Sequence, residues 1–462
     1  MEPIAAISTA RGVAAAVGVL RVSGDDAVAA AEAVVRRPGG AKLAEAPART
    51  LVRCSLLDCT GAVIDDCLAV VFPAPHSYTG EDVVELQCHG SPVVLEEGLR
   101  ALLAAGARQA KPGEFTKRAF LNGRMDLTAA EAVIDLIDAE TAEEARNAAM
   151  QVNGALVRAV GAVYDMLMDV AARFYAVVDY PDEDIAPLQR TELEEALETG
   201  EKTLQALVDT TERGRILKRG VPTVIVGRPN VGKSSLLNAL LGFDRAIVTD
   251  VAGTTRDTVE EKVLCGGVLL RLTDTAGIRE TEDAVEKIGV ERSRSALEQA
   301  SLVLAVLDSA AEVTPEDQAL LRQAAEQGRW ILVWSKRDLT EGRPLPAIDQ
   351  ILEDLDHLPA AVVALSNVTG QGLEDLERAV AALYPAGETA AGTVVTNSRQ
   401  SAAIERALTA VRSALGALRG GLTPDAVLTD AEEALDALGE LTGKTIREDL
   451  VETIFSRFCV GK

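Results

Sequence analysis

The pattern of apolar and polar positions changes several times along the chain. Residues 1 to about 119 alternate short apolar runs with Gly, Pro and Asp, and the clearest runs, Val17–Val22, Leu68–Phe72 and Val83–Gln87, predict strands of an α+β domain. From about residue 120 to about residue 213 apolar residues recur at helical spacing, with breaks. The first half of the chain therefore predicts an α+β domain followed by helices.

Two Thr-x-x-Glu tetrapeptides, Thr128–Glu131 and Thr429–Glu432, have the spacing of a capping box. In that motif the hydroxyl and the carboxylate bind backbone amides that lack partners at the start of a helix. The helical pattern returns from about residue 396 to the end of the chain. We therefore expect a helix to begin at each tetrapeptide.

Between about residues 216 and 384, apolar runs alternate with helical stretches, which predicts a mainly parallel, doubly wound α/β sheet. Four consecutive domains fit this pattern, and so does one α/β domain inserted into a single helical domain. Periodicity does not choose between the two. The apolar runs are Thr223–Val226, Val268–Thr273, Leu302–Asp308, Ile331–Trp334 and Ala361–Leu365.

Composition and charge narrow the class of protein. The 462 residues are 48% hydrophobic but only 3% aromatic, so the cores must consist mostly of Ala, Val, Leu and Ile. A net charge of −25 does not attract nucleic acid, so an RNA partner needs a local basic patch or a second, basic subunit. No run reaches the ~20 apolar residues that span a bilayer, and no secretory signal is recognisable. We expect a cytoplasmic protein that does not enter a membrane.

A complete phosphate-binding motif, Gly227–Ser234, follows a predicted strand and precedes a predicted helix, Ser235–Leu241. We call Gly227–Ser234 the phosphate loop. Its glycines let backbone amides approach phosphate groups, Lys233 reaches the β- and γ-phosphates, and Ser234 holds Mg²⁺. This motif predicts nucleotide hydrolysis.

Motifs that follow the phosphate loop indicate guanine. Asp274–Gly277 ends a predicted strand, and its carboxylate can reach the Mg²⁺ shell. Gly253–Asp257 lies where a switch loop is expected, with Thr255 as the natural ligand of Mg²⁺ and of the γ-phosphate. Asp338 presents a carboxylate that pairs with the N1 and N2 hydrogens of guanine, which adenine cannot supply together. The chain is therefore predicted to be a GTPase.

Three positions depart from the usual GTPase motifs. Ser335 replaces the Asn of Asn-Lys-x-Asp, and a hydroxyl does not reproduce the paired donor and acceptor of an amide. We expect guanine preference to persist through Asp338, with lower affinity. Ser366–Val368, the base loop, reads Ser-Asn-Val in place of Ser-Ala-Lys. Ile278 stands where Ras-type enzymes carry the Gln that orients water, so the catalytic group must come from elsewhere.

With these motifs in place, the chain resembles the MnmE (TrmE) family of tRNA-modification GTPases from end to end. The resemblance implies a GTPase domain inserted in an all-helical domain, after an α+β N-terminal domain that is similar to folate-dependent one-carbon enzymes. The expected boundaries are 1–119, 120–215, 216–384 and 385–462. The segments that carry the resemblance outside the phosphate loop are Ser77–Leu86, Pro112–Thr116, Ala119–Leu127, Val285–Gly289 and Phe458–Lys462.

The resemblance also implies a reaction and its partners. A homodimer, formed through the N-terminal domain, would join an MnmG-type subunit that uses FAD and NADH, giving a heterotetramer. Together they would install aminomethyl or carboxymethylaminomethyl groups at C5 of the wobble uridine of tRNAs, with tRNA bound mainly through the partner. The implied cofactors are GTP as substrate, Mg²⁺, K⁺ and 5-formyl- or methylene-tetrahydrofolate.

Matched position by position, the resemblance assigns the GTPase site. Asn230, Thr249, the carbonyl of Val251 and Thr254 would bind K⁺, whose charge can act as an arginine finger does when two GTPase domains meet. Glu286 would orient the attacking water, and Lys233 would assist catalysis. The implied GTP-binding residues are Asn230, Val231, Gly232, Lys233, Ser234, Ser235, Thr249, Asp250, Val251, Ala252, Gly253, Thr254, Thr255, Asp274, Thr275, Ala276, Gly277, Ser335, Lys336, Asp338, Ser366, Asn367 and Val368.

The resemblance places a folate site at Arg21, Glu85, Arg124 and Lys462, where Arg and Lys suit the glutamate tail and Glu85 accepts hydrogen bonds from the pterin. The C-terminal Lys462 would have to reach back to another domain. Cys459 is either a residue of the modification chemistry or a buried small hydrophobic residue.

Two alternatives share part of these motifs. A ribosome-assembly GTPase of the Era/Der type has the same phosphate loop but needs a basic KH-like domain, whereas the C-terminal segment here is acidic and helical. A folate-dependent aminomethyl transferase with a regulatory GTPase domain overlaps the MnmE function.

Overall fold

The strands of the described residues form two sheets, one in each of two units. The computed structural model describes residues 1–10, 12–179, 189–243, 260–273, 297–340, 343–345, 352, 355, 357–385, 392–443, 454–456 and 458–461. The first unit comprises residues 1–134, 151–205 and 402–462, and the second comprises 135–150 and 206–401.

The helices of both units lie between and after the strands, in the segments where apolar residues recur at helical spacing. In chain order they are α1 (Ala27–Ala33), α2 (Pro92–Ala104), α3 (Glu114–Leu121), α4 (Leu127–Ile137), α5 (Ala142–Val152), α6 (Ala155–Asp179), α7 (Arg190–Val208), α8 (Thr211–Arg219), α9 (Lys233–Phe243), α10 (Pro315–Glu326), α11 (Leu373–Leu383), α12 (Ser398–Arg419) and α13 (Pro424–Thr442). Short 3₁₀ turns lie at Pro38–Gly40, Leu43–Glu45 and Arg337–Thr340. Among the helices of the described residues, none combines the length and the apolar character that crossing a membrane requires.

The sheet of the first unit is mixed. Its strands run in the order β3-β4-β5-β6-β2-β1-β7, and all neighbours are antiparallel except β1 and β7. Helices α1 and α2 cover one face, where Leu20, Leu56 and Leu86 are fully buried. Gly98 allows α2 to approach closely, because a Cβ there would lie 2.6 Å from Leu20 Cδ1. The strands are β1 (Ile4–Ile7), β2 (Ala15–Ser23), β3 (Val35–Arg36), β4 (Val52–Leu57), β5 (Val63–Phe72), β6 (Val83–Gly90) and β7 (Arg108–Gln109).

The sheet of the second unit is parallel apart from one edge strand. Its order is β13-β12-β11-β8-β10-β9, and only β9 pairs antiparallel, with β10. Trp330 and Trp334 on β12 are fully buried, as the continuous apolar run predicts for a strand covered on both faces. The strands are β8 (Val221–Val226), β9 (Glu260–Cys265), β10 (Val268–Thr273), β11 (Leu302–Asp308), β12 (Trp330–Ser335) and β13 (Ala361–Ala364).

The predicted fold class is confirmed in both units. The strands that the apolar runs predict are present, and the first unit contains helices that precede and follow the α/β unit in the chain. The two predicted capping boxes are wrong, because both threonines lie inside helices. Thr128 Oγ1 donates to Leu441 O (2.9 Å), and Thr429 Oγ1 donates back to Asp425 O (3.1 Å). A threonine hydroxyl can donate to a nearby backbone carbonyl instead of capping the start of a helix.

Candidate functional site

The phosphate loop joins the end of β8 to the first turn of α9. Gly227 approaches β11 so closely that a Cβ would lie 2.5 Å from Val306 O. Asn230 has φ +64° and Gly232 has φ +106°, both in the left-handed region, which Asn tolerates better than most residues. Asn230 and Ser234 are exposed, so an amide and a hydroxyl are available to a ligand.

Lys233 closes the loop on itself. Its Nζ donates to Gly227 O and to Arg228 O, both at 2.8 Å. Burial lowers the pKa of Lys233, because desolvation disfavours the ammonium form. Both acceptors are neutral carbonyls, so an anion bound at the loop would supply the negative charge that balances this ammonium. The phosphate groups of a nucleotide are such anions.

An ion pair between the partly exposed Arg228 and the buried Asp317 holds the phosphate loop to α10. Arg228 Nε donates to Asp317 Oδ1 (2.7 Å), while Asp317 Oδ2 accepts from the backbone N and Oγ1 of Thr314 at the start of α10. Burial acts to raise the pKa of Asp317, but these bonds outweigh it and the pKa is lowered. No local pattern in the sequence indicates this pair, although Thr314–Asp317 has the spacing of a capping box.

Two loops at the ends of β12 and β13 bring the predicted guanine residues together. Ser366 Oγ donates to Asp338 Oδ1 (2.6 Å) and accepts from the amides of Val368 (3.3 Å) and Thr369 (3.2 Å). Lys336 Nζ donates to Asp308 Oδ2 (2.7 Å) at the end of β11. The carboxylate of Asp338 is therefore oriented by the base loop, as recognition of guanine requires.

Ser335 is fully buried and links β12 to the phosphate loop. Its Oγ donates to Val231 O and lies 3.0 Å from Leu307 O. The structure thus brings the predicted residues of 230–235, 335–338 and 366–368 to one edge of the sheet. The other predicted residues of the GTPase site lie outside the described residues, as does Ile278: Thr249, Asp250, Val251, Ala252, Gly253, Thr254, Thr255, Asp274, Thr275, Ala276, Gly277 and Glu286.

A second candidate site lies on the sheet of the first unit. Arg21 on β2 faces Glu85 on β6, and both Nε and Nη2 of Arg21 lie 2.9 Å from Glu85 Oε1. The Arg21 guanidinium lies 5.4 Å from the ring centroid of Tyr78 and 5.6 Å from that of Phe115. The pair is 17% and 20% exposed, so a ligand can reach it. The stem of Arg124 packs close to Gly80, two residues beyond Tyr78 in the sequence.

The C-terminal segment returns to this sheet, as the resemblance requires. Ser8 Oγ donates to Gly461 O (3.1 Å), and Val460 forms a β-bridge with Pro112. Cys459 O accepts from Gly113 N (3.3 Å), while its thiol side chain is exposed. The alternative of a buried, small hydrophobic Cys459 is therefore wrong, and Lys462 lies outside the described residues.

In the part of the chain that the structure describes, no group of three or more His, Cys, Asp or Glu side chains is arranged to hold a metal ion. The metal ligands predicted in the GTPase site are hydroxyl, amide and carbonyl oxygens instead. Such oxygens suit hard cations such as Mg²⁺, which bind nucleotide phosphates together with few protein groups.

Comparisons with known proteins cover the whole chain. The family models for the GTP-binding protein TrmE N-terminus and the MnmE helical domain match residues 3–124 and 127–459. The tRNA modification GTPase MnmE of Geobacillus kaustophilus is 44% identical over 467 residues, covering 100% of this chain and 99% of the relative. That of Geobacillus thermodenitrificans is 42% identical with the same coverage. A crystal structure of Era from Aquifex aeolicus matches 41% of this chain and 65% of its own, at 30% identity and a TM-score of 0.28.

Docking of the C-terminal segment depends on Gly113, which has φ +65° and lies where a Cβ would be 2.6 Å from Phe455 O. We expect Gly113→Ala to increase amide exchange in residues 454–461 by about tenfold or more, because the segment must move away. Hydrogen-exchange mass spectrometry measures this change. Gly123→Ala is the matched control, since Gly123 has φ +68° but no atom within 4 Å of the added Cβ. Equal exchange in both variants would contradict the docking.

Proposed function

Since the chain belongs to the MnmE family of tRNA modification GTPases, we propose that it modifies C5 of the wobble uridine of tRNAs together with an MnmG-type flavoprotein. The added groups are aminomethyl or carboxymethylaminomethyl groups, and the reaction takes place in the cytoplasm, where tRNAs are used. The chain hydrolyses GTP as part of this process. The proposed domains are 1–119, 120–215 for the first helical part, 216–384 for the GTPase and 385–462 for the second helical part.

One observation carries the GTPase assignment. The phosphate loop, Asp338 and the base loop meet at the carboxyl edge of one parallel sheet, and Ser366 orients the Asp338 carboxylate. Ligands of open α/β sheets bind at this edge. The family matches over residues 3–124 and 127–459 extend far beyond this unit, which favours the MnmE function over an Era/Der-type GTPase.

The charge needed for GTP hydrolysis is proposed to come from K⁺. Asn230, Thr249, the carbonyl of Val251 and Thr254 would hold it, and when bound it supplies positive charge near the β–γ bridging oxygen. The exposed, left-handed Asn230 supports this assignment, because its amide oxygen is available at the loop.

The chain's own residues would then perform three tasks at the GTPase site. Ser234 and Thr255 hold the Mg²⁺ that accompanies GTP, and Lys233 transfers its hydrogen bonds from loop carbonyls to phosphate oxygens. Glu286 orients the attacking water, a task that Ile278 cannot perform. Contact between the GTPase domains of two chains would complete the site.

Dimerisation is proposed to use the open face of the first sheet. Val17 on β2 and Leu68 on β5 are 54% and 40% exposed on the face opposite α1 and α2. Apolar side chains in such positions are a surface that a second copy can cover. A partner of the MnmG type joins this homodimer in a heterotetramer and supplies most of the contacts with tRNA, since this chain carries a net charge of −25.

A tetrahydrofolate, in 5-formyl or methylene form, is proposed to bind at Arg21, Glu85, Arg124 and Lys462. The fit rests on a guanidinium flanked by two aromatic rings, which gives a flat, partly apolar wall beside a carboxylate. Arg21 binds Glu85 through Oε1, so Oε2 is the oxygen that we propose meets the pterin. The folate would supply a one-carbon unit, and the exposed Cys459 is a candidate for the modification chemistry.

The tRNA function is tested by deletion of the encoding gene. We expect the wobble-uridine modifications to disappear from tRNA hydrolysates analysed by mass spectrometry, and to return with the wild-type gene. Asn230→Ala should fail to restore them, because GTP hydrolysis would lose its cation site. Lys202→Ala, a change at an exposed residue of α7, should restore them fully. Unchanged wobble nucleosides in the deletion strain would refute the function.

The folate site is tested by Arg21→Ala. We expect the affinity for 5-formyl-tetrahydrofolate to fall about tenfold or more in calorimetry, because a stacked cation and the partner of Glu85 are both lost. GTP affinity should not change. Arg53→Ala is the matched control, since Arg53 forms a cross-strand ion pair with Asp66 on the same sheet at an exposed position. A similar effect of both changes would count against the site.

A further inference from the structure

The base-reading side of the GTPase site carries a serine and an asparagine at exchanged positions. Ser335 stands where GTPases usually have Asn, and Asn367 stands in the base loop where they usually have Ala. Both side chains converge on Gly232 of the phosphate loop. A Cβ at Gly232 would lie 3.5 Å from Ser335 Oγ and 3.6 Å from Asn367 Nδ2. The two side chains therefore occupy neighbouring positions beside the same loop residue.

The hydroxyl of Ser335 is fully engaged within the protein. The side chain is completely buried, and its Oγ reaches the carbonyls of Val231 and Leu307. A hydroxyl has one hydrogen, so it donates to one of these carbonyls at a time and has none to offer a nucleotide. Ser335 can hold the phosphate loop against β12, but it cannot donate to a base.

The amide of Asn367 has hydrogen-bonding capacity that the protein does not use. Its Nδ2 donates one hydrogen to Gly232 O, at the long distance of 3.4 Å. Its Oδ1 is buried and, within the described residues, has no hydrogen-bond partner. A reversed amide would place Oδ1 against the Gly232 carbonyl, so the contact also fixes which atom is nitrogen. One hydrogen of Nδ2 thus has no partner among the described residues, and the buried Oδ1 is left unsatisfied.

Asp338 determines which edge of guanine the amide can meet. In the proposed GTP site its carboxylate would accept from N1 and N2 of the base, and it already accepts from Ser366, which directly precedes Asn367 in the chain. The remaining polar groups on the adjacent edge of guanine, O6 and N7, are acceptors. The free N–H of Asn367 is the complementary donor, whereas Ser335 offers none.

We propose that Asn367 supplies the amide that position 335 lacks, bridging Gly232 O and N7 of guanine through the two hydrogens of Nδ2. This inference rests on the GTP site of the proposed function and makes Asn367 a specificity-determining residue of that site. Guanine recognition is then shared between Asp338 and Asn367, and the lower affinity expected from Ser335 alone does not arise.

The test is a double-mutant cycle in the full-length chain, with affinities measured for GDP and for 7-deaza-GDP, which lacks the N7 acceptor. In the wild type we expect GDP to bind about tenfold more tightly than 7-deaza-GDP, because 7-deaza-GDP cannot accept the hydrogen bond at position 7. Asn367→Ala should lower GDP affinity by a similar factor and abolish the preference. Ser335→Asn alone should bind poorly, because the larger side chain competes with Asn367 for one space.

The double variant, Ser335→Asn with Asn367→Ala, should recover both GDP affinity and the preference for N7. Leu358→Ala, at a 66% exposed position between β12 and β13 and outside the proposed binding residues, is the control and should behave as the wild type. Thermal unfolding of every variant separates loss of fold from loss of contact. The inference is overturned if Asn367→Ala keeps the wild-type preference for GDP over 7-deaza-GDP, or if the double variant binds no better than Asn367→Ala. Absence of GDP binding by the wild type would instead refute the GTP site itself.

Discussion

Parallel pairing of β8, β11, β12 and β13 is the constraint on which the GTPase site depends. Strands that run in the same direction end at the same edge of the sheet, so residues far apart in the chain meet there. The phosphate loop follows β8, Asp308 ends β11, Ser335 ends β12 and the base loop follows β13. Contacts such as Ser335 with Val231, and Asn367 with Gly232, then fix the phosphate-binding and base-binding parts to each other.

The elements of this unit could be predicted from sequence because their signals are local. Continuous apolar runs such as Leu302–Asp308 match the observed strand limits, since a strand buried on both faces needs apolar residues throughout. The phosphate loop was recognisable because its chemistry requires glycines at fixed spacing. The predicted capping boxes are wrong because Thr128 and Thr429 lie inside helices and donate to other backbone carbonyls, and spacing alone does not reveal the competing acceptor.

Contacts between distant segments cannot be predicted from local spacing either. The ion pair of Arg228 and Asp317 joins residues 89 positions apart, and the hydrogen bond from Asn367 to Gly232 joins residues 135 positions apart. Asn367 departs from the usual base loop, but the residues around it do not indicate which distant segment it contacts, and the same is true of Arg228. The return of Gly461 to the first sheet was expected only through the family resemblance, because no periodicity predicts where a C-terminal segment docks.

The proposed function assigns GTP hydrolysis to the second unit and folate binding to the first. The decisive measurement is GTP turnover by the purified chain, compared in potassium chloride and in sodium chloride at equal concentration. We expect turnover at least about tenfold faster in potassium, since the proposed cation would take the place of an arginine finger. Asn230→Ala should remove this difference. Equal rates of the wild type in both salts would refute activation of the GTPase by potassium.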